Sequence, residues 1–259
     1  MKKLLLAFLG LGLCFSLCAS ATNKYQIIQN SNDAKAIIQK MDDKMQGHSS
    51  LIIMRMSIVR SSYTRTVEVK GWSLQKKYSM MLVTAPAKEK GQVMMKYKSQ
   101  LWQYTPSINR LIKLPPSMMS QGFLGSDYTN DDLIKQTSVV NDYDHKIIGE
   151  EIISGKACWK IEMIPHEDSD VVWGKLQCWI SKKDFVMMKG EYYDEEMYLV
   201  RTEITKELKI FDGRLLPSII EVTPYEEPDN KTIVETLSVK FDINISTKFF
   251  TQQNMRRIR

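Results

Sequence analysis

The chain has 259 residues, 43% of them hydrophobic and 25% charged, with only 12 Gly and 8 Pro and a net charge of +6. That composition excludes wholesale disorder, and the lack of a collagen-like period, a sustained heptad or a second long apolar run excludes collagenous, coiled-coil and multi-span membrane architectures. Its 16 Met are several times what a soluble protein ordinarily carries.

Lys2 and Lys3 precede an apolar run from Leu4 to Leu17 and then Cys18-Ala19-Ser20-Ala21. This order of charged, apolar and A-x-A segments is that of an export signal (residues 1–21), expected to be cleaved after Ala21. Leu13 and Leu17 stand where a lipoprotein would carry a small residue before its acylated Cys, so soluble export is expected over a lipid anchor. Cleavage removes two Lys and leaves Cys158 and Cys178, and two Cys in an exported protein are a disulfide candidate. The runs Cys158–Ile164 and Val171–Cys178 flank the polar turn His166–Asp170, and a hairpin centred on Asp168 would set the two Cys opposite each other. Two separate buried thiols are the alternative.

Residues Asn32–Gln46 carry Ala34, Ile37, Ile38, Met41 and Met45 at helical spacing, with Ser31 or Asn32 to cap the start and Gly47 to end it. Beyond Gly47 the period becomes two. Strands are expected around Ile52–Val59, Arg65–Trp72, Tyr78–Thr84, Gln92–Tyr97, Leu101–Tyr104 and Arg110–Leu114. Others follow at Lys146–Ile153, in the hairpin above, and at Phe185–Tyr193, Tyr198–Phe211, Arg214–Val222 and Thr232–Phe241. Many short strands joined by turns indicate an antiparallel sandwich or barrel rather than βαβ units. Between them, Pro115–Gly125 is apolar but too irregular for a strand. A helix start follows it, with Thr129 as N-cap and acidic residues in the first turn. No repeat or linker interrupts residues 22–259, which read as one domain.

Catalytic and metal signatures are lacking. The three His lie outside any zinc motif, there is no nucleophile elbow, Walker A or dinucleotide fingerprint, and Asp127–Asp132 lacks the Gly and the terminal Glu of a calcium loop. Acidic doublets such as Asp131-Asp132, Glu150-Glu151 and Glu195-Glu196 are better explained by solvated loops and helix starts than by acid–base work. Neither an enzyme nor a cofactor is expected, and export argues against a nucleic-acid partner. Arg256, Arg257 and Arg259 read as a solvated tail. The Met cluster on the early strands and in the irregular loop (Met54, Met56, Met80, Met81, Met94, Met95, Met118, Met119). Flexible, polarizable side chains suit an apolar surface that repacks around varied ligands, although Met standing in for Leu in an ordinary core fits the same count. An antiparallel sheet that curls without closing needs a cover on its inner face, and one helix and one apolar loop are at hand.

Three segments carry a resemblance: Thr84-Ala-Pro-Ala-Lys-Glu-Lys-Gly91, Leu101-Trp-Gln-Tyr-Thr-Pro-Ser-Ile-Asn-Arg110 and Gly122-Phe-Leu-Gly-Ser-Asp-Tyr-Thr-Asn-Asp-Asp-Leu133. With Phe250-Thr-Gln-Gln-Asn-Met255 near the end, they resemble the outer-membrane lipoprotein-sorting family, the LolA-like proteins. Trp102, Tyr104, Pro106, Gly125, Ser126 and Asp127 carry that family's marks. The resemblance implies a mainly β fold, an open antiparallel β-barrel whose helices lid a hydrophobic cavity. It also implies a periplasmic, monomeric carrier of lipoprotein acyl chains or other lipids, working between an inner-membrane exporter and an outer-membrane acceptor. The family's lid-holding Arg has three candidates here, Arg55, Arg60 and Arg65. Met54, Met56, Met80, Leu82, Val93, Met95 and Trp102 are the expected cavity wall, and Met118, Met119, Phe123 and Leu124 the expected lid. An envelope sensor on the same fold, or a lipid-binding accessory of a membrane exporter, would share this pocket chemistry.

Overall fold

The computed structural model describes residue 30 and residues 33–135, 139–169 and 171–259. The export signal and the cap candidates Ser31 and Asn32 lie outside them. Helix α1 covers residues 33–46. It ends where Gly47, at φ +62°, takes the left-handed conformation that side chains oppose and donates its N–H to Asp43 O at 3.3 Å.

From there the chain is almost entirely strand: β1 Ser49–Arg60, β2 Tyr63–Leu74, β3 Tyr78–Ala85, β4 Val93–Tyr97, β5 Gln100–Thr105, β6 Arg110–Lys113, β7 Tyr143–Ile153, β8 Lys156–Pro165, β9 Lys175–Ser181, β10 Met187–Tyr193, β11 Leu199–Phe211, β12 Arg214–Pro224 and β13 Lys231–Phe241. All thirteen join one antiparallel sheet in the order β6-β5-β4-β3-β2-β1-β13-β12-β11-β10-β9-β8-β7. It consists of two meanders joined where β1 pairs β13. The outermost strands, β6 and β7, are successive in the chain and do not pair, so the sheet is an open half-barrel. The segment between them holds helix α2 (Asn130–Lys135), and helix α3 (Gln252–Arg257) follows β13. Thr129 is the N-cap of α2: its Oγ1 accepts from Asp132 N–H at 3.2 Å while its own N–H donates to Asp132 Oδ2 at 2.7 Å.

Both faces of the sheet are covered. On the inner face, Ala34, Ile37 and Ile38 of α1 pack against Ile161, Met163, Leu176, Cys178 and Ile180. On the outer face of β2–β5, the chain end seats Phe250 and Met255 among Leu74, Met80, Leu82, Val93, Met95 and Tyr104. Each such side chain taken out of water contributes about 1.5–3 kcal/mol.

The β8–β9 hairpin departs from the expected register. Cys158 lies opposite Ser181, and Cys178 opposite Ile161. Residues 171–174 belong to the connection rather than to a strand, which moves the hairpin centre beyond Asp168. The two Cys therefore point to opposite faces, Cys158 packing on Trp179 and Met188 and Cys178 in the cluster under α1, and both are free thiols. The disulfide expectation is corrected accordingly.

Candidate functional site

Between α1, the β6–β7 connection and the inner face lies a cavity of about 360 Å³, within the range of ordinary small-molecule sites. Six Met line it: Met41 and Met45 from α1, and Met54, Met81, Met163 and Met187 from the sheet. Ile52, Ile220, Val139, Leu176 and Trp173 complete an apolar wall.

One side is closed by a buried charge cluster. Arg201, on β11, is only 4% exposed, and its Nη1 donates to Asp132 Oδ2 at 2.6 Å and to Asp127 O at 3.2 Å. Its Nη2 reaches Glu203 Oε1 at 3.2 Å, and the guanidinium plane lies over the rings of Tyr192, Trp173 and Tyr128. Burial opposes the charged guanidinium, but the Glu203 and Asp132 carboxylates outweigh it and hold Arg201 above its ordinary pKa. Burial pushes Glu203 up, with Arg201 working against it, and burial likewise raises Tyr128 and Tyr192 far above the usual phenol. At the other end, Lys76 pairs with Asp42 and with Asp43, the latter at 3.1 Å. Lys96 enters the lining there, where burial lowers its ammonium to about 8.

The expected lid residues lie on the inner face of the first meander. Phe123 is buried with Met56, Met94, Leu101 and Leu114, and Met118, Met119 and Leu124 pack around it. They fill that end of the trough, while Tyr128, Asp131 and Asp132 of the same connection face the cavity. Two of the three candidate Arg grip this segment. Arg60 donates to Asp127 at 3.0 Å and to Gly125 O at 3.2 Å, and Arg65 donates to Leu124 O. Arg55 instead pairs with Glu68 and Glu235 on neighbouring strands.

The family marks fall into two groups. Ser126 Oγ donates to Phe123 O at 2.7 Å, Asp127 Oδ2 accepts from Thr232 Oγ1 at 2.6 Å, and Gly125 sits at φ +71°, so this trio shapes the lid turn. Trp102 and Tyr104 belong to the outer-face cluster, and Pro106 opens a one-turn 3₁₀ helix packed near Gly91.

Of the expected wall, Met54 lines the cavity and Met56 packs under Phe123. Met80, Leu82, Val93, Met95 and Trp102 point the other way, into the cluster with Phe250 and Met255. Their inward places are taken by Met81 and Met94, one residue along. The acidic doublet Asp131-Asp132, expected to be solvated, is buried against the cavity instead. Arg201 and Glu203, the charged centre of the site, were not anticipated. The one signal for them is inverted alternation in β11, where Arg201, Glu203 and Thr205 occupy the buried phase.

A family model described as an uncharacterized protein matches residues 75–257. No curated protein matches the chain. Among solved structures, a DUF1329 family protein from Desulfovibrio piger is similar at TM-score 0.79 and 21% identity, over 87% of this chain and 99% of that one. A putative outer membrane lipoprotein-sorting protein domain from Vibrio parahaemolyticus is similar at TM-score 0.76 and 19% identity, over 88% and 100%. A LolA superfamily protein from Nitrosomonas europaea is similar at TM-score 0.71 and 21% identity, over 85% and 98%. The fold is thus the one those proteins share.

Proposed function

We propose that this chain, which belongs to the uncharacterized-protein family whose model spans residues 75–257, is a lipid carrier of the cell envelope. It binds lipoprotein acyl chains or other lipids in the Met-lined cavity and delivers them toward the outer membrane. The observation that carries this reading is the cavity itself, an apolar trough with six flexible Met in its wall and a gripped loop across one end. Its structural relatives include a lipoprotein-sorting domain, and no helix among the described residues is long and apolar enough to cross a membrane.

The energetics suit a carrier. Each methylene buried from water contributes about 0.8 kcal/mol, so even part of one acyl chain is held firmly without catalysis. Met118, Met119, Phe123 and Leu124 act as the lid, and Arg60, Arg65 and Arg201 hold it to the sheet. In this reading the chain is a periplasmic monomer working between an inner-membrane exporter and an outer-membrane acceptor, and the export-signal pattern of residues 1–21 supports that location. Displacement of a fluorescent acyl probe tests this. Saturable binding is expected in the native chain and its loss when Met54→Trp and Met81→Trp fill the cavity. Equal binding in the filled double variant overturns it.

A further inference from the structure

We propose that the rim of the first meander is a docking surface for an anionic lipid bilayer, built from Lys and Arg side chains around the exposed tip of the β5–β6 turn. This surface is independent of what the cavity holds and stands apart from the carrier reading above.

Three separate segments supply the charge. The β3–β4 turn brings Lys88 and Lys90, β6 opens on Arg110, and the chain end brings Arg256, Arg257 and Arg259, all of them exposed. The segments are packed against one another. Gly91, at the end of the β3–β4 turn, lies so close to the β5–β6 turn that a β-carbon there would stand 3.3 Å from Pro106 Cγ. Phe250 and Met255 are buried and Ile258 packs on the same cluster, which anchors the chain end on the outer face. Arg256 Nη1 donates to Asn109 Oδ1 at 2.9 Å, an oxygen that also accepts from Tyr104 Oη at 3.2 Å. The three terminal Arg are solvated, as the sequence suggests, but they are held beside the turn. At its apex Ile108 is 65% exposed.

Little offsets this charge nearby. Residues 86–125 and 243–259 contain a single carboxylate, Glu89, and Arg65 of β2 engages it at 2.5 Å. The same Arg65 donates to Leu124 O, so one side chain joins the basic turn to the lid. At the same end of the sheet the second meander reverses the sign. Its turns carry the exposed pairs Glu167 and Asp168, Glu195 and Glu196, and Glu226 and Glu227, with no Lys or Arg among residues 166–169, 194–198 and 225–230. An anionic plane attracts one half of this rim and repels the other, which fixes the orientation of approach. A single apolar tip ringed by cations suits a headgroup layer, where Ile108 enters the interface and the cations meet lipid phosphates.

Cosedimentation of the full chain with vesicles tests this. Binding is expected to equimolar phosphatidylglycerol and phosphatidylcholine, and not to phosphatidylcholine alone. It should weaken steeply as salt rises from about 0.1 M to about 1 M, where the screening length falls from about 10 Å to about 3 Å. A basic residue near such a surface is worth about a fivefold factor in partitioning. Arg256→Gln, Arg257→Gln and Arg259→Gln together are therefore expected to weaken binding about tenfold or more. Lys183→Gln, Lys209→Gln and Lys240→Gln remove the same charge from exposed sites elsewhere and are expected to leave binding unchanged, as is the cavity-filled Met54→Trp, Met81→Trp variant. No binding to the anionic vesicles, equal binding to both vesicle types, or an equal loss in the two triple variants overturns the docking surface and leaves the carrier standing. Loss of vesicle binding on filling the cavity assigns the attachment to cargo uptake and overturns it too. The native chain's own vesicle preference decides if a variant misfolds.

Discussion

Arg201 of β11 and Asp132 of α2 meet at 2.6 Å inside the protein, tying the connection that crosses the open sheet to the strand beneath it. Breaking a buried pair by removing one partner typically costs about 3–5 kcal/mol, because the other charge is left unmatched. Arg201→Met, which strands both Asp132 and Glu203, should lower the unfolding free energy from urea titration by an amount in that range. An unfolding free energy equal to that of the native chain would show that the pair does not anchor α2.

Arg60 and Asp127 supply a second tie, shared with Thr232. Asp127→Ala should leave the β-sheet amides protected while speeding hydrogen exchange across residues 118–128, and should weaken acyl-probe binding several-fold. Unchanged exchange in that segment would rule Asp127 out as a clasp.

The outer face should behave independently of the cavity. Phe250 is buried among Leu82, Met95 and Met255, on the sheet face opposite the Met rows. Phe250→Ala should cost about 3–5 kcal/mol of stability without changing acyl-probe affinity in the folded protein. A large loss of affinity in protein that remains folded would contradict the separation of the two faces.

Lys96 sets a pH dependence whose sign is fixed. Its folded-state pKa is near 8, against about 10.4 in an unfolded chain, so between those values the unfolded state binds the extra proton. Stability from this group therefore rises with pH across that window. Lys96→Met should therefore flatten that rise between about pH 8 and pH 10. A variant that keeps the native slope across this window would contradict it.

The thiols give a chemical check on the register. Burial pushes Cys178 up to about 12 and raises Cys158 as well, so neither offers a thiolate near neutrality. Iodoacetamide should label Cys158 and Cys178 only after denaturation, with no Cys158–Cys178 crosslink in the native protein. Isolation of that crosslink would overturn the β8–β9 pairing.

Strand positions were legible in the sequence because turns and period-two runs mark them locally, and the helix ending at Gly47 and the Thr129 cap were legible for the same reason. The side each strand turns inward was not. In β3 and β4, Met80-Met81-Leu82-Val83 and Val93-Met94-Met95 are apolar in both phases, because the chain end covers one face and the lid segment the other. Alternation cannot then separate wall from outer cluster. The hairpin misled for a related reason: Val171 and Val172 look like strand but lie in the connection. Arg201 and Glu203 carry no local mark in the sequence, since only their tertiary partners Asp132, Tyr192 and Trp173 reveal that they are buried.

The most direct measurement is mass spectrometry of the protein purified without detergent from the cell envelope, with bound material extracted into organic solvent. Acyl lipid is expected in the native chain, and its loss from the Met54→Trp, Met81→Trp double variant. A native chain with no extractable lipid, or the same lipid in both proteins, would contradict it.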